Sequence, residues 1–305
     1  MVSKAINLGA SPLCWTNDVL DDLGGNIPLE VCLQQAAQAG FSGIELGRKF
    51  PRDPLILRPL LDSVGLQLAS GWYSGFLADR SIEDELIAIS DHAHLLKQLG
   101  ASVLVYGECG RLLAEGPLDA PLSQTPTLNS LDLIEYANKI NILADVLLRD
   151  YNLKLAYHHH LMMVIEHNDE LQSFLAKTND NVGLVFDTGH AFAAGVNIPA
   201  LLQNWGHRIV HLHLKDVRSD VLTEVRKKDL SFNAAVRAGL FTIPGEGSID
   251  FAPLIAFIAE GHYQGWLIVE AEQDPQLAPP LATATRAAKW MRQNFSVPTQ
   301  SETLV

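Results

Sequence analysis

The stretch Val182-Gly-Leu-Val-Phe-Asp187-Thr-Gly-His190 is an apolar run with the length of a buried strand, and it stops at a carboxylate and an imidazole. Three more runs in the second half of the chain end the same way. They are Leu153-Lys-Leu-Ala-Tyr-His158-His159-His160, Ile209-Val-His211-Leu-His213-Leu-Lys215-Asp216 and Trp266-Leu-Ile-Val-Glu270-Ala-Glu272. In parallel barrels the loops at the C-terminal strand ends converge on one rim, and the chemistry sits there. Four such endings predict one shared metal site with mixed nitrogen and oxygen ligands.

Outward from these runs, short apolar stretches also end near Ser11, Leu46, Gly71 and Tyr106, which with His158, Asp187, Leu214 and Glu270 mark eight candidate strands. Several are rich in Val, Ile and Leu without strict alternation, as in a parallel sheet covered on both faces. The spacing between them predicts helices. Over 28–39, Leu29, Cys32, Leu33 and Ala36 fall on one stripe, with Pro28 in the first turn and Gly40 as the stop. Over 82–99 the stripe is Leu86, Ile89, Ala93 and Leu96, capped by Ser81 and ended by Gly100. A third helix is expected over 131–148, with Ile140, Leu143, Ala144 and Leu147 inward. Eight strand–helix alternations predict an α/β fold, a closed (β/α)8 TIM barrel rather than an open doubly wound sheet. The expected organisation is one barrel domain over 1–295 and a polar tail over 296–305.

The chain of 305 residues suits a barrel, which commonly needs about 250. Its formal net charge of −13 argues against nucleic acid or an anionic membrane as partner. It suits a neutral small-molecule substrate, or one held by a cation. Cys14, Cys32 and Cys109 are odd in number and form no CxxC pair, so a reducing cytoplasm is expected and a disulfide framework is not. No signal-peptide core or run of about 18 apolar residues appears, so a soluble protein is expected. The glycines of Pro244-Gly-Glu-Gly-Ser-Ile-Asp250 suit a tight loop between the last two strands and form no nucleotide motif. A homo-oligomeric assembly stays open at this stage.

Asp187 can bind a cation directly, and His190 can face the same cavity. His211 and His213 share one strand face because side chains alternate with period two. His213, nearer the C-terminal end, is the better ligand, and His211 the better supporting or core residue. Glu270 would be an expensive buried charge without a cation to compensate it. Alternation places His158 and His160 on one face and His159 on the other, and one or two of the three can bind metal. Imidazole and carboxylate ligands suit Mn²⁺, Co²⁺, Fe²⁺ or Zn²⁺, and the lack of a thiolate cluster argues against a structural zinc. Trp15, Asn17-Asp18, Glu45, Trp72-Tyr73 and Glu108 follow earlier strands and can complete a pocket, with aromatics to stack on a sugar or polyol ring. Lys215-Asp216 can add a cation and a carboxylate.

Taken together, these residues resemble the inosose dehydratases of myo-inositol breakdown, within the xylose-isomerase-like barrel superfamily. The resemblance is carried by Ser11-Pro-Leu-Cys-Trp15-Thr-Asn-Asp18, Gly43-Ile-Glu-Leu-Gly47, Ser70-Gly-Trp-Tyr-Ser74, Tyr157-His-His-His160, Asp187-Thr-Gly-His190, His211-Leu-His-Leu-Lys-Asp216 and Val269-Glu-Ala-Glu-Gln-Asp-Pro275. It implies a hydro-lyase that removes water from a keto-inositol, 2-keto-myo-inositol, with Mn²⁺ or Co²⁺ as cofactor. It also implies Asp187, His213 and Glu270 as ligands. By motif His158 takes the place of the superfamily's glutamate after strand five, with His160 as the alternative. Met162-Met163 stand where the family has a small and a hydroxyl residue, which bears on substrate fit. Glu272, His190 and His160 are then the candidates for proton transfer, and Trp15, Glu45, Trp72 and Lys215 for holding substrate. The rival function is a sugar or keto-polyol isomerase or epimerase using the same metal and enediolate chemistry.

Overall fold

The Val-, Leu- and Ile-rich runs become strands because each lies in a sheet with apolar neighbours on both faces. The computed structural model describes residues 6–113 and 116–295. Its strands are β1 (Ile6–Ala10), β2 (Gly43–Leu46), β3 (Gln67–Gly75), β4 (Val103–Glu108), β5 (Lys154–His158), β6 (Val182–Asp187) and β7 (Ile209–Leu214). A short antiparallel pair, β8 (Asp216–Val217) and β9 (Phe241–Thr242), precedes β10 (Gly265–Val269). Strands β1 to β7 and β10 pair in parallel, in sequence order, and β10 closes on β1. With helices between them this is the expected (β/α)8 barrel. The expected tail, 296–305, lies outside the described residues. Among those residues, no helix is long and apolar enough to cross a membrane.

Three expected boundaries moved. Strand β4 runs to Glu108 rather than ending at Tyr106. β3 continues past Gly71 because backbone pairing of Trp72 with Val105 and of Ser74 with Gly107 does not depend on apolar side chains. The helix expected over 131–148 spans Ser130–Val146, started by Asn129, whose side chain accepts from the amides of Leu131 and Asp132. It then widens into a π turn, Leu147–Tyr151, which Asn152 ends with a left-handed backbone at φ 56°. The other two helices, Leu29–Ala39 and Ile82–Leu99, end at Gly40 and Gly100, both left-handed as a C-terminal stop requires.

Inside the barrel, Val103, Val105, Ala156 and Val185 form a separate apolar plug, with Trp72 and Val210 packed against it. Ala156 and Val185 lie two residues before His158 and Asp187, so they share the inward face. Burying such side chains contributes roughly 1.5–3 kcal/mol each for the larger ones. The plug therefore gives the site above it a dry, rigid floor.

The connection from β7 to β10 is long rather than tight. It carries the helices Ser219–Lys227 and Phe232–Arg237, and it folds back over the C-terminal rim. The buried Asp216 carboxylate pins its return, accepting from the amides of Val217 (2.8 Å), Gly245 (2.9 Å), Gly247 (3.0 Å) and Ile249 (3.0 Å). Asp216 is thus a loop anchor. The excursion is tied to the other rim loops by the Arg237–Asp22 pair (2.7 Å for both contacts), Asn233 on Asp119 (2.8 Å) and Ser123 on Asp229.

Candidate metal centre

The parallel register sets four strand ends at one height: His158 pairs with Val185, Asp187 with His213, and His213 with Ile268, two residues before Glu270. One ligand atom from each of His158, Asp187, His213 and Glu270 lies within 4.8 Å of the others, and all four residues are buried. His158 Nε2 and His213 Nδ1 are each 3.6 Å from Asp187 Oδ2, and His213 Nδ1 is 3.2 Å from Glu270 Oε2.

Hydrogen bonds on the far nitrogens set the tautomers. His158 Nδ1 lies 2.7 Å from the carbonyl oxygen of His159, to which it must donate, leaving the Nε2 lone pair inward. His213 Nε2 lies 3.1 Å from Glu45 Oε1, which leaves Nδ1 inward. Asp187 Oδ1 accepts from the His190 amide at 2.8 Å, while Asp187 Oδ2 and His213 Nδ1 are buried without a hydrogen-bond partner. A buried acceptor left unpaired is costly. A divalent cation among these four groups would satisfy both atoms, and two imidazoles with two carboxylates fit one.

Lys215 packs against this set. Its Nζ is 2.5 Å from Glu270 Oε1, 3.1 Å from Glu272 Oε2 and 3.8 Å from Asp187 Oδ2. Burial opposes its charge, but the carboxylates of Glu270, Glu272 and Asp187 overcome that and raise its pKa. Burial likewise works against the Asp187 carboxylate, yet Lys215 and His190 hold it well below the usual range.

A cavity of about 570 Å³ opens above this floor, within the range of small-molecule sites. His158, His213, Glu270, Glu272, His160 and Asn17 supply its polar side. Pro12, Leu13, Leu118, Met163, Trp72 and Phe232 supply apolar wall. His160 donates from Nδ1 to the Leu161 carbonyl at 2.6 Å, leaving Nε2 as an acceptor. Burial drives its pKa well below the usual imidazole range, which favours the neutral ring. Glu272 is held from both sides, by Lys215 on Oε2 and by Asn17 Nδ2 on Oε1 at 3.3 Å, and burial raises its pKa.

Other expected positions fall elsewhere. His190 is not at the cavity: its ring lies 3.8 Å from that of His160 and stacks on Phe232. Its nitrogens meet the Leu161 amide and Lys215 Nζ, both at 3.2 Å. Lys215 is fully buried and engaged by its three carboxylates. Trp15 turns outward, donating from Nε1 to Gln35 on the helix Leu29–Ala39 at 2.8 Å, because its fully buried ring packs in the shell outside the barrel. Glu45 borders the cavity, but its Oε1 is taken up by histidines. His159 faces away, as alternation requires. Trp72 does line the cavity, edge-on to His158 and His160. The sequence reading missed Phe232, because no local signal marks a residue of a long excursion as part of the pocket wall.

Glu108, at the end of β4, is also turned away from the cavity. It accepts from the Tyr106 hydroxyl (3.0 Å) and the Gly110 amide (2.7 Å), and burial pushes its pKa up to about 7. A pKa raised on folding means stability fully present below the unfolded pKa and lost as pH rises through the folded one. Glu108→Gln is therefore expected to stabilise the protein at pH 8, by on the order of 3 kcal/mol at most, and to change little at pH 4.5. Denaturant melts at both pH values check this; an equal gap between variant and wild type at the two would refute it.

Residues 33–294 match the family described as xylose isomerase-like TIM barrel. The chain belongs to that family. Full-length relatives refine the placement. The chain is 42% identical over 280 residues to the rhizopine catabolism protein MocC of Rhizobium meliloti, covering 92% of this chain and 86% of the relative. It is 38% identical over 296 residues to the inosose dehydratase of Clostridium beijerinckii, covering 95% and 98%. This member of the xylose isomerase-like family therefore stands with the inosose dehydratases. Among solved structures, the IOLI protein with a bound zinc atom superposes with a TM-score of 0.69 at 18% identity, over 95% of this chain and 98% of that one, a likeness of fold.

Proposed function

We propose that the chain is a metal-dependent dehydratase that removes water from a keto-inositol, 2-keto-myo-inositol, a carbon–oxygen lyase of myo-inositol catabolism. The observation that carries this is the placement of Glu272 and His160 in one cavity with four residues that could hold a cation, in a chain that matches an inosose dehydratase over 95% of its length. His158, Asp187, His213 and Glu270 hold the cation, Mn²⁺ or Co²⁺. Its chemistry is Lewis acidity, which makes the hydrogen on the carbon beside the substrate ketone acidic.

The chain's own residues do the rest. Glu272 takes that hydrogen as a proton; Lys215 and Asn17 fix the carboxylate at the floor, and burial brings its pKa closer to working pH. Dehydration consumes no net proton, so the proton returns to the hydroxyl that leaves from the next carbon, and the remaining enol becomes a diketone. His160 Nε2, an acceptor facing the cavity, receives a substrate hydroxyl and shares the proton movement. Trp72 and Phe232 offer apolar faces to the ring and keep water from it. A cytoplasmic setting fits the three free cysteines.

The test is turnover of 2-keto-myo-inositol by metal-stripped protein with Mn²⁺ or Co²⁺ added back, the product followed by mass. Metal-dependent loss of one water is expected. A product of unchanged mass would move the function to the isomerase and epimerase class, and no turnover with any metal would end the proposal.

A further inference from the structure

We propose that Glu45 is the positioning residue of the metal centre, holding His213 so that Nδ1 faces the cation, rather than a substrate contact. The inference rests on the four-ligand site described above. Glu45 lies one residue before the end of β2, across the barrel from β7, and its Oε1 receives His213 Nε2 at 3.1 Å and His211 Nε2 at 2.9 Å. Ser70 of β3 donates to the same oxygen through Oγ. Three donors from two other strands therefore converge on one buried carboxylate oxygen. An oxygen engaged in that way has little left for a substrate hydroxyl.

The arrangement explains why β7 carries two histidines on one face. His211 is fully buried, and its Nε2 is committed to Glu45 while Nδ1 has no partner, so it braces the carboxylate. No arginine or lysine pairs with Glu45; the two imidazoles are its ionic contacts among the described residues. A carboxylate accepting from Nε2–H leaves the opposite ring nitrogen as the donor atom for a cation and keeps the ring from rotating. Removing such a partner typically weakens metal affinity 10–100-fold.

The test is cation affinity of the stripped full-length protein, measured for Zn²⁺ and Co²⁺ by chelator competition, together with the visible absorption of the Co²⁺ complex. Glu45→Ala is expected to lose about 10–100-fold in affinity and to alter the Co²⁺ spectrum. Glu45→Gln, whose amide oxygen can still accept from Nε2–H, is expected to lose less. This graded order also serves if the alanine variant fails to fold, since the glutamine variant must then bind more weakly than wild type. Wild-type affinity and an unchanged spectrum in the variants, with or without a higher KM, would overturn the proposal. A wild-type protein that takes up neither cation would instead remove the metal site itself, and this inference with it.

Discussion

Asp187→Asn is expected to leave the fold intact and to cut metal-dependent turnover by at least about 10³-fold. The asparagine keeps the size of the side chain and the oxygen that accepts from the His190 amide, so the start of the helix Thr188–Ala193 is preserved. What it removes is the negative charge at Oδ2, the buried atom without a hydrogen-bond partner that faces His158 and His213. A Lewis acid at a reacting oxygen contributes several kcal/mol, and each 1.36 kcal/mol is tenfold in rate. Loss of the cation thus accounts for three decades or more. The measurement is cation content by elemental analysis alongside kcat/KM. A variant that still binds a stoichiometric cation and retains a tenth of the activity would show that Asp187 is not a ligand.

Glu272→Gln is expected to cut kcat by about 10²–10⁴-fold while cation content stays at the wild-type level. Its carboxylate lines the cavity and lies outside the four-ligand set, so the substitution separates proton transfer from metal binding. The amide keeps the contact with Lys215 through its oxygen but cannot take a proton from carbon. KM should change far less than kcat, because the interaction lost is made with the moving proton. If kcat is preserved, the proton transfers belong to His160, and His160→Asn should show the loss instead.

Much of this architecture was legible in the chain because the signals are short-range. A buried parallel strand is a run of Val, Leu and Ile, and a helix is a stripe at 3.6-residue spacing with a cap before it and a glycine after. The helix Ile82–Leu99, with Ser81 at its start and Gly100 at its end, needs nothing beyond its own residues to be read. The period-two alternation of β7 similarly predicts that His211 and His213 share a face. Strand ends stop the apolar pattern, so the type and order of the groups on the rim were visible too.

Neighbours across the barrel were not. Glu45 meets His213 from 168 positions away in sequence, and no local pattern shows that one of its carboxylate oxygens accepts from two histidines. Trp15 and Glu272 each follow a barrel strand, yet one packs outward on Gln35 and the other faces the cavity. His190 looked like a rim residue, but Phe232, brought in by the excursion from β7, covers it. The sequence offers Lys215 as a cation for holding substrate, and three carboxylates from β6 and from the end of β10 enclose it. By itself the sequence determined the barrel, the helix boundaries to within a few residues, and the chemical kind of groups on one rim, since backbone periodicity and capping act over a few residues. Only the tertiary structure decided which of those groups face the cavity, which brace others and which are enclosed, because those assignments depend on through-space contacts between strands that local patterning does not encode.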